Sequence, residues 1–166
     1  NFKIIEKASR VGGTWRENQY PGAACDVQSH MYSLSFAPKT DWSKRYAEAD
    51  EIFEYIQDIT EQYKLKDYCK FNHEVSHAEF DENRNVWTLE FKDQSTIEAQ
   101  FVIFASGPLH VPQIPHLKGI EKFKGKVFHS SQWDHQYSLE GKAVASIGTG
   151  GSAIQYIPEI AQEVKQ

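Results

Sequence analysis

The chain has 166 residues, enough for a domain with a sizeable core, and its 40% hydrophobic and 25% charged residues describe a folded globular protein and not a disordered one. A formal net charge of -5 argues against a surface that gathers phosphate backbones, so nucleic acid is not an expected partner. Cys25 and Cys69 are the only cysteines and have no CxxC spacing, which leaves no expected metal site and no disulfide framework. Reduced thiols suit a cytoplasmic location. No apolar run approaches the ~20 residues that span a bilayer, and no signal-peptide pattern is visible, so no membrane partner is expected either.

In chain order, Phe2 to Glu6 (FKIIE) reads as a buried parallel strand ending in an acid. Residue 1 is Asn and the only Met is Met31, so the chain is expected to begin in the middle of structure as a segment of a longer protein. A Gly- and polar-rich stretch from Ser9 to Ser29 follows, and loops of that length inside domains are usually functional. A helix opening at Asp50 or Glu51 is predicted to bury Ile52, Ile56, Ile59 and Tyr63, at spacings of four, three and four. Val75 to Phe80 and Val86 to Phe91 alternate around a turn-rich connection and predict a β-hairpin, with a third strand near Thr96 to Glu98. Gln100 to Phe104 reads as a further buried strand and Lys142 to Ile147 as the next strand. Between them Pro108, Pro112 and Pro115 predict a stiff, extended linker. The apolar spacing of Ile154, Ile157, Ile160, Ala161 and Val164 predicts a final helix.

Two features carry chemistry on their own. Ile147 to Ala153 reads I-G-T-G-G-S-A, a G-x-G-x-x-A turn between a strand and a helix. Gly148 permits the tight turn, Gly150 admits a pyrophosphate close to the backbone, and Ala153 allows close helix packing. Thr149, Gly151 and Ser152 complete a candidate dinucleotide phosphate site, whose alternative is a glycine turn without a ligand. Ser152 lacks G-x-S-x-G spacing, which speaks against a hydrolase nucleophile. Glu6, at a strand end, is placed like the acid that bonds ribose hydroxyls in a dinucleotide unit, or else is a surface carboxylate.

Two longer patterns decide the context. Gly12 to Asp26 (GGTWRENQYPGAACD) fits (A/G)GxWxxxx(F/Y)P(G/M)xxxD at every fixed position, through Gly12, Gly13, Trp15, Tyr20, Pro21, Gly22 and Asp26. Phe123 to Asp134 (FKGKVFHSSQWD) fits FxGxxxHxxxW(P/D) through Phe123, Gly125, His129, Trp133 and Asp134. On these residues the chain resembles the Baeyer-Villiger monooxygenases, relatives of the flavin-containing and N-hydroxylating monooxygenases, over nearly its whole length.

The resemblance implies an α/β, three-layer Rossmann-like FAD/NAD(P)-binding fold of the two-dinucleotide flavoprotein kind, truncated at both ends. Residues 1–107 would be part of the FAD-binding domain with a helical insert and a β-meander near 75–99. Residues 108–141 would be the interdomain linker and 142–166 the start of the NADP-binding domain. The implied cofactors are FAD and NADP, and the implied partners are a small carbonyl substrate, O2 and the missing N- and C-terminal parts of the same protein.

The implied reaction inserts one oxygen atom next to a ketone or aldehyde carbonyl by way of a flavin C4a-peroxide. N- or S-oxygenation and a non-catalytic fragment stand as alternatives; Trp133-Asp134 favours carbonyl oxygenation, whereas Tyr at the tryptophan position would favour the former. By resemblance Glu6 would hold the FAD ribose, Gly13, Thr14 and Trp15 would contact the flavin nucleotide, and Asp26 and Tyr32 would lie near the isoalloxazine, with Val75 near the adenine. Gly148, Thr149, Gly150, Gly151 and Ser152 would seat the NADP phosphates. Asp26 carries the implied catalytic role, pairing with an arginine that the resemblance places beyond Gln166. His129 falls in the linker pattern and is read as conformational, not as a general base.

Overall fold

The computed structural model describes residues 1–107 and 111–165, a mixed α/β chain that divides into two compact units. The first comprises Asn1–Val11 and Ile56–Pro108, the second Gly12–Tyr55 and Leu109–Gln166.

In the first unit, β1 (Ile4–Ile5) pairs in parallel with β2 (Cys69–Lys70), in the register Ile4 to Cys69 and Ile5 to Lys70. The pairing continues past the strand ends, where Glu6 N–H donates to the Lys70 carbonyl at 3.0 Å and His73 N–H to the Glu6 carbonyl at 3.1 Å. Phe2 stacks on Tyr68 with ring centroids 4.5 Å apart. The expected strand is therefore present and parallel but not buried, since Phe2 and Ile4 remain exposed.

The predicted hairpin and third strand form an antiparallel meander of β3 (Val75–Asp81), β4 (Val86–Phe91) and β5 (Thr96–Ala99). Local chemistry sets its register. Asp81 Oδ1 accepts the N–H groups of Asn83 and Arg84 at 2.9 and 3.1 Å, and Asn85 takes a positive φ of 53°, so the turn closes with Asp81 opposite Val86. Arg84 grips Glu98 through two 2.8 Å bonds across to β5. Leu89 and Phe91 point inward, Phe91 with only 2% exposure and with His73 edge-on to its ring at 5.4 Å.

In the second unit α1 (Thr14–Glu17) is a single turn, and α3 (Gly151–Ile160) is the longer helix. Helix α2 (Ala49–Gln62) contributes residues to both units. Asp50 and Glu51 lie in its first turn, where acids suit the helix dipole. Ile52 (1% exposed), Tyr55 and Ile59 are buried along it, as expected for Ile52 and Ile59. Tyr63 departs from expectation: it lies just past the helix end and is exposed, so the apolar stripe stops one turn early.

Two further expectations fail on one physical ground. Gln100 to Phe104 and Lys142 to Ile147 form no strand, and Phe101 and Ile103 are 87% and 91% exposed. A parallel strand exists only through neighbours that take up its N–H and C=O groups, and neither run finds one among the described residues. The final helix stops at Ile160, short of Val164, and carries Pro158 within it. Its buried residues are Ala153 and Ile160, while Ile154 and Ile157 are exposed. Of the linker prolines, Pro112 and Pro115 lie in irregular backbone and Pro108 falls outside the described residues.

Because Phe91 is enclosed on every side, Phe91→Ala should destabilise the protein by about 3–5 kcal/mol, the usual range for emptying a buried aromatic position. Urea unfolding followed by far-UV circular dichroism measures it; a loss under about 1 kcal/mol would contradict this packing.

Candidate cofactor-binding site

Two glycines of the first long pattern, Gly12 and Gly22, are required by packing. Gly12 has φ +122°, and a Cβ there would stand 2.4 Å from the Phe53 ring and 2.9 Å from Arg16 Cβ. At Gly22, φ +73°, a Cβ would meet the Gln155 carbonyl oxygen at 2.9 Å and Glu159 Cγ at 2.8 Å. At Gly125 it would meet only the Phe123 ring, at 2.5 Å, and that exposed ring has room to turn away. The glycines of the second turn behave differently. A Cβ on Gly148, Gly150 or Gly151 would meet no heavy atom within 4 Å, so this backbone faces open space.

That openness suits a phosphate. Gly148 has φ +112°, and α3 begins with Gly150 as its N-cap and no side-chain cap bond. Its first backbone bond runs from Ile154 N–H to the Gly150 carbonyl at 3.2 Å, so the N–H groups of the preceding helical residues have no acceptor within the helix. Gly148, Thr149, Gly150 and Gly151 are exposed and Ser152 is half-buried.

The loop of the first long pattern sits directly on α3. The segment through Ala24 lies antiparallel to residues 47–49: Cys25 N–H donates to the Ala47 carbonyl at 2.9 Å and Ala49 N–H to the Ala23 carbonyl at 2.8 Å. In such a pair the N–H and C=O of the intervening residue point the other way. The Gln155 side chain meets them, its Nε2 donating to the Ala24 carbonyl at 2.8 Å and its Oε1 accepting Ala24 N–H at 3.4 Å. The same Oε1 accepts the Tyr20 hydroxyl at 2.8 Å. Tyr20, Ala23 and Ala49 form a buried cluster against which Trp15, Trp133 and Tyr156 pack.

Gln155 escaped the sequence reading. The one available signal was a polar amide among the apolar residues of the final helix.

Gly13 caps α1 with φ +47°, and Thr14 and Trp15 occupy the helix itself. Trp15 Nε1–H donates to Tyr32 Oη at 3.1 Å, the two rings standing nearly perpendicular at 5.6 Å. Burial pushes the Tyr32 phenol above its ordinary range, the Trp15 hydrogen bond offsetting part of the rise and the nearby Asp26 carboxylate adding to it, so the hydroxyl stays protonated at neutral pH. Cys25 is buried, and its thiol is likewise raised by burial. Asp26 is exposed.

Gly13, Thr14, Trp15, Asp26, Tyr32 and Gly148 to Ser152 thus share the second unit, whereas Glu6 and Val75 belong to the first. Glu6 follows β1, and its Oε1 accepts the Ala8 N–H at 2.8 Å. Val75 opens β3 opposite Phe91 and is exposed.

The linker pattern is built around Trp133, whose ring packs on Phe128 at 5.2 Å and on Tyr156 of α3 at 5.3 Å. His129 caps the short 3-10 turn Ser130–Gln132, its Nδ1 accepting Ser131 N–H at 3.2 Å. The Lys126 ammonium, 2.7 Å from Asp134, holds that carboxyl below its usual range. Two open clefts, of about 350 Å³ beside Lys7, His73 and Lys92 and about 250 Å³ beside Trp133, Asp134 and Glu159, include none of the expected site residues. No helix among the described residues is long and apolar enough to cross a membrane.

Residues 3–166 match the family described as flavin-binding monooxygenase-like, and the chain belongs to that family. It is similar to a Baeyer-Villiger monooxygenase of Pseudomonas aeruginosa, 48% identical over 96% of this chain and 30% of that protein. One of Streptomyces coelicolor is 43% identical over 99% of the chain and 31% of that protein. Among solved structures it resembles an oxidized steroid monooxygenase bound to NADP, with a TM-score of 0.89 and 38% identity over 99% of this chain and 32% of that one. A complex named OTEMO with FAD and NADP gives a TM-score of 0.90 at 33% identity, over 98% of this chain and 32% of that one. The chain therefore has the α/β fold of these flavoproteins over the part it covers, and it spans about 30% of the length of the curated relatives it matches.

Gly22→Ala combines a positive φ with a 2.9 Å approach to the α3 backbone and should cost on the order of 1–3 kcal/mol. Thermal unfolding would show a lowered midpoint; an unchanged one would mean that the loop does not rest on α3.

Proposed function

We propose that this chain supplies part of both cofactor sites of an FAD- and NADPH-dependent monooxygenase that inserts one oxygen atom of O2 next to the carbonyl of a small ketone or aldehyde. The observation that carries the reading is the docking of the Gly12–Asp26 loop on the helix of the second glycine turn, in a chain whose relatives bear the name Baeyer-Villiger monooxygenase. Trp15 and Asp26 of the loop, with Tyr32 beyond it, share one unit with an open phosphate-type turn, which supports a site for two dinucleotides. Free Cys25 and Cys69 fit a cytoplasmic enzyme. On this reading residues 1–107 belong to the FAD-binding domain, 108–141 to the linker and 142–166 to the NADP-binding domain.

The residues fit the two groups chemically. The α3 N-terminus, with the open glycines Gly148, Gly150 and Gly151 and with Thr149 and Ser152, would hold the NADP pyrophosphate through backbone N–H groups. Glu6 would accept bonds from the FAD ribose hydroxyls. Gly13, Thr14 and Trp15 would line the flavin nucleotide, Tyr32 the ring system and Val75 the adenine. Bound flavin supplies the activation of oxygen, and NADPH the electrons. Trp15 and Tyr32 provide flat apolar faces and one fixed hydroxyl beside the flavin. Asp26 holds a partner cation in place, and such a charge-assisted pair stabilises negative charge that develops next to it.

In the complete protein loaded with FAD, Asp26→Ala should leave flavin bound and slow NADPH-dependent conversion of a cyclic ketone to its lactone by about 10²–10³-fold, the scale of one lost oxyanion-stabilising interaction. Product quantitation by gas chromatography measures it. Unchanged turnover with intact flavin would overturn the role of Asp26, and a wild-type protein that oxidises NADPH yet never converts a carbonyl would overturn the reaction.

A further inference from the structure

We propose that Gln155 is a positioning residue that transmits occupation of the second glycine turn to the segment carrying Asp26. The inference rests on the reading just given, that this turn takes the NADP pyrophosphate, and adds a physical route from that turn to the flavin-side loop.

Gln155 lies four residues along α3 from Gly151, about 6 Å at a helical rise of ~1.5 Å per residue, on a hydrogen-bonded element that moves as a body. At the other end of the route Asp26 stands two residues beyond Ala24, within about 7 Å of extended chain. The junction is a side-chain amide that completes a strand edge. Oε1 and Nε2 of Gln155 take up the N–H and C=O of Ala24, while Ala23 and Cys25 are held from the opposite side by Ala49 and Ala47. A displacement of α3 therefore cannot leave Ala24 in place without breaking one of these bonds.

Two further contacts remove slack. The Tyr20 hydroxyl donates to the same Oε1 at 2.8 Å, and the absent side chain of Gly22 lets the loop backbone rest against the Gln155 carbonyl. The job needs a donor and an acceptor on one planar head at this reach. Leu has the bulk without either, and Asn is one methylene short. A bond that served only to hold the fold together would behave alike with and without a ligand at the turn, which separates a purely structural role from positioning.

The test is backbone hydrogen–deuterium exchange of the peptide covering Ala23 to Val27 in the complete, FAD-loaded protein, with and without saturating NADP⁺. Wild type should show exchange slowed about tenfold by NADP⁺, the factor that one hydrogen bond of typical net strength supplies. Gln155→Leu should still bind NADP⁺, with its dissociation constant changed less than about threefold, and should lose the NADP⁺-dependent slowing. Tyr20→Phe deletes a single hydroxyl and should reduce the slowing, and it decides the matter should Gln155→Leu fail to fold. Wild type that binds NADP⁺ without slowing, or either variant with the full wild-type effect, overturns the coupling. Failure of wild type to bind NADP⁺ at all overturns the functional reading and the coupling with it.

Discussion

A strand edge left open on one side has to be closed by something, and here a glutamine side chain closes it. The segment from Ala23 to Cys25 pairs on one side with residues 47–49, so the N–H and C=O of Ala24 face away from that pairing and toward α3. Partly buried backbone groups without partners would cost on the order of 1–3 kcal/mol each, and the Gln155 amide removes that cost for both. Much of the second unit follows from this contact. Gly22 must lack a side chain because the loop lies against the helix backbone. Tyr20 is buried with its hydroxyl turned to Gln155, and Trp133 reaches Tyr156 on the same helix.

How much of this was legible in the sequence depends on how local each feature is. The meander was readable because alternation, the Asp81 turn and the positive φ at Asn85 act within a few residues. Helix α2 was readable from its spacing, except that Tyr63 falls beyond its last turn. The runs at Gln100 to Phe104 and Lys142 to Ile147 carry the composition of buried strands, but composition cannot supply the neighbouring strands on which such structure depends.

The candidate site divides along the same line. The long patterns named Gly12 and Gly22 without their reasons, which are close approaches to Phe53 and Gln155 that no spacing rule encodes. The glycines of the second turn were read from their fingerprint, and they face open space. Gln155 was invisible because a lone polar residue in a short helix has no periodic signature, and its partner Ala24 lies 131 positions away. Family membership supplied what local physics could not, the expectation that Glu6, Trp15, Asp26 and Tyr32 serve a flavin, in a chain that spans about 30% of its relatives.

The claim that one amide joins the fingerprint loop to α3 is tested most directly by a double-mutant cycle between Tyr20→Phe and Gln155→Leu, read as unfolding free energies. Direct bonding between the two side chains predicts a coupling of about 0.5–1.5 kcal/mol, with the double variant less destabilised than the sum of the singles. Additivity within about 0.3 kcal/mol would show that the two residues do not meet, and would contradict the account.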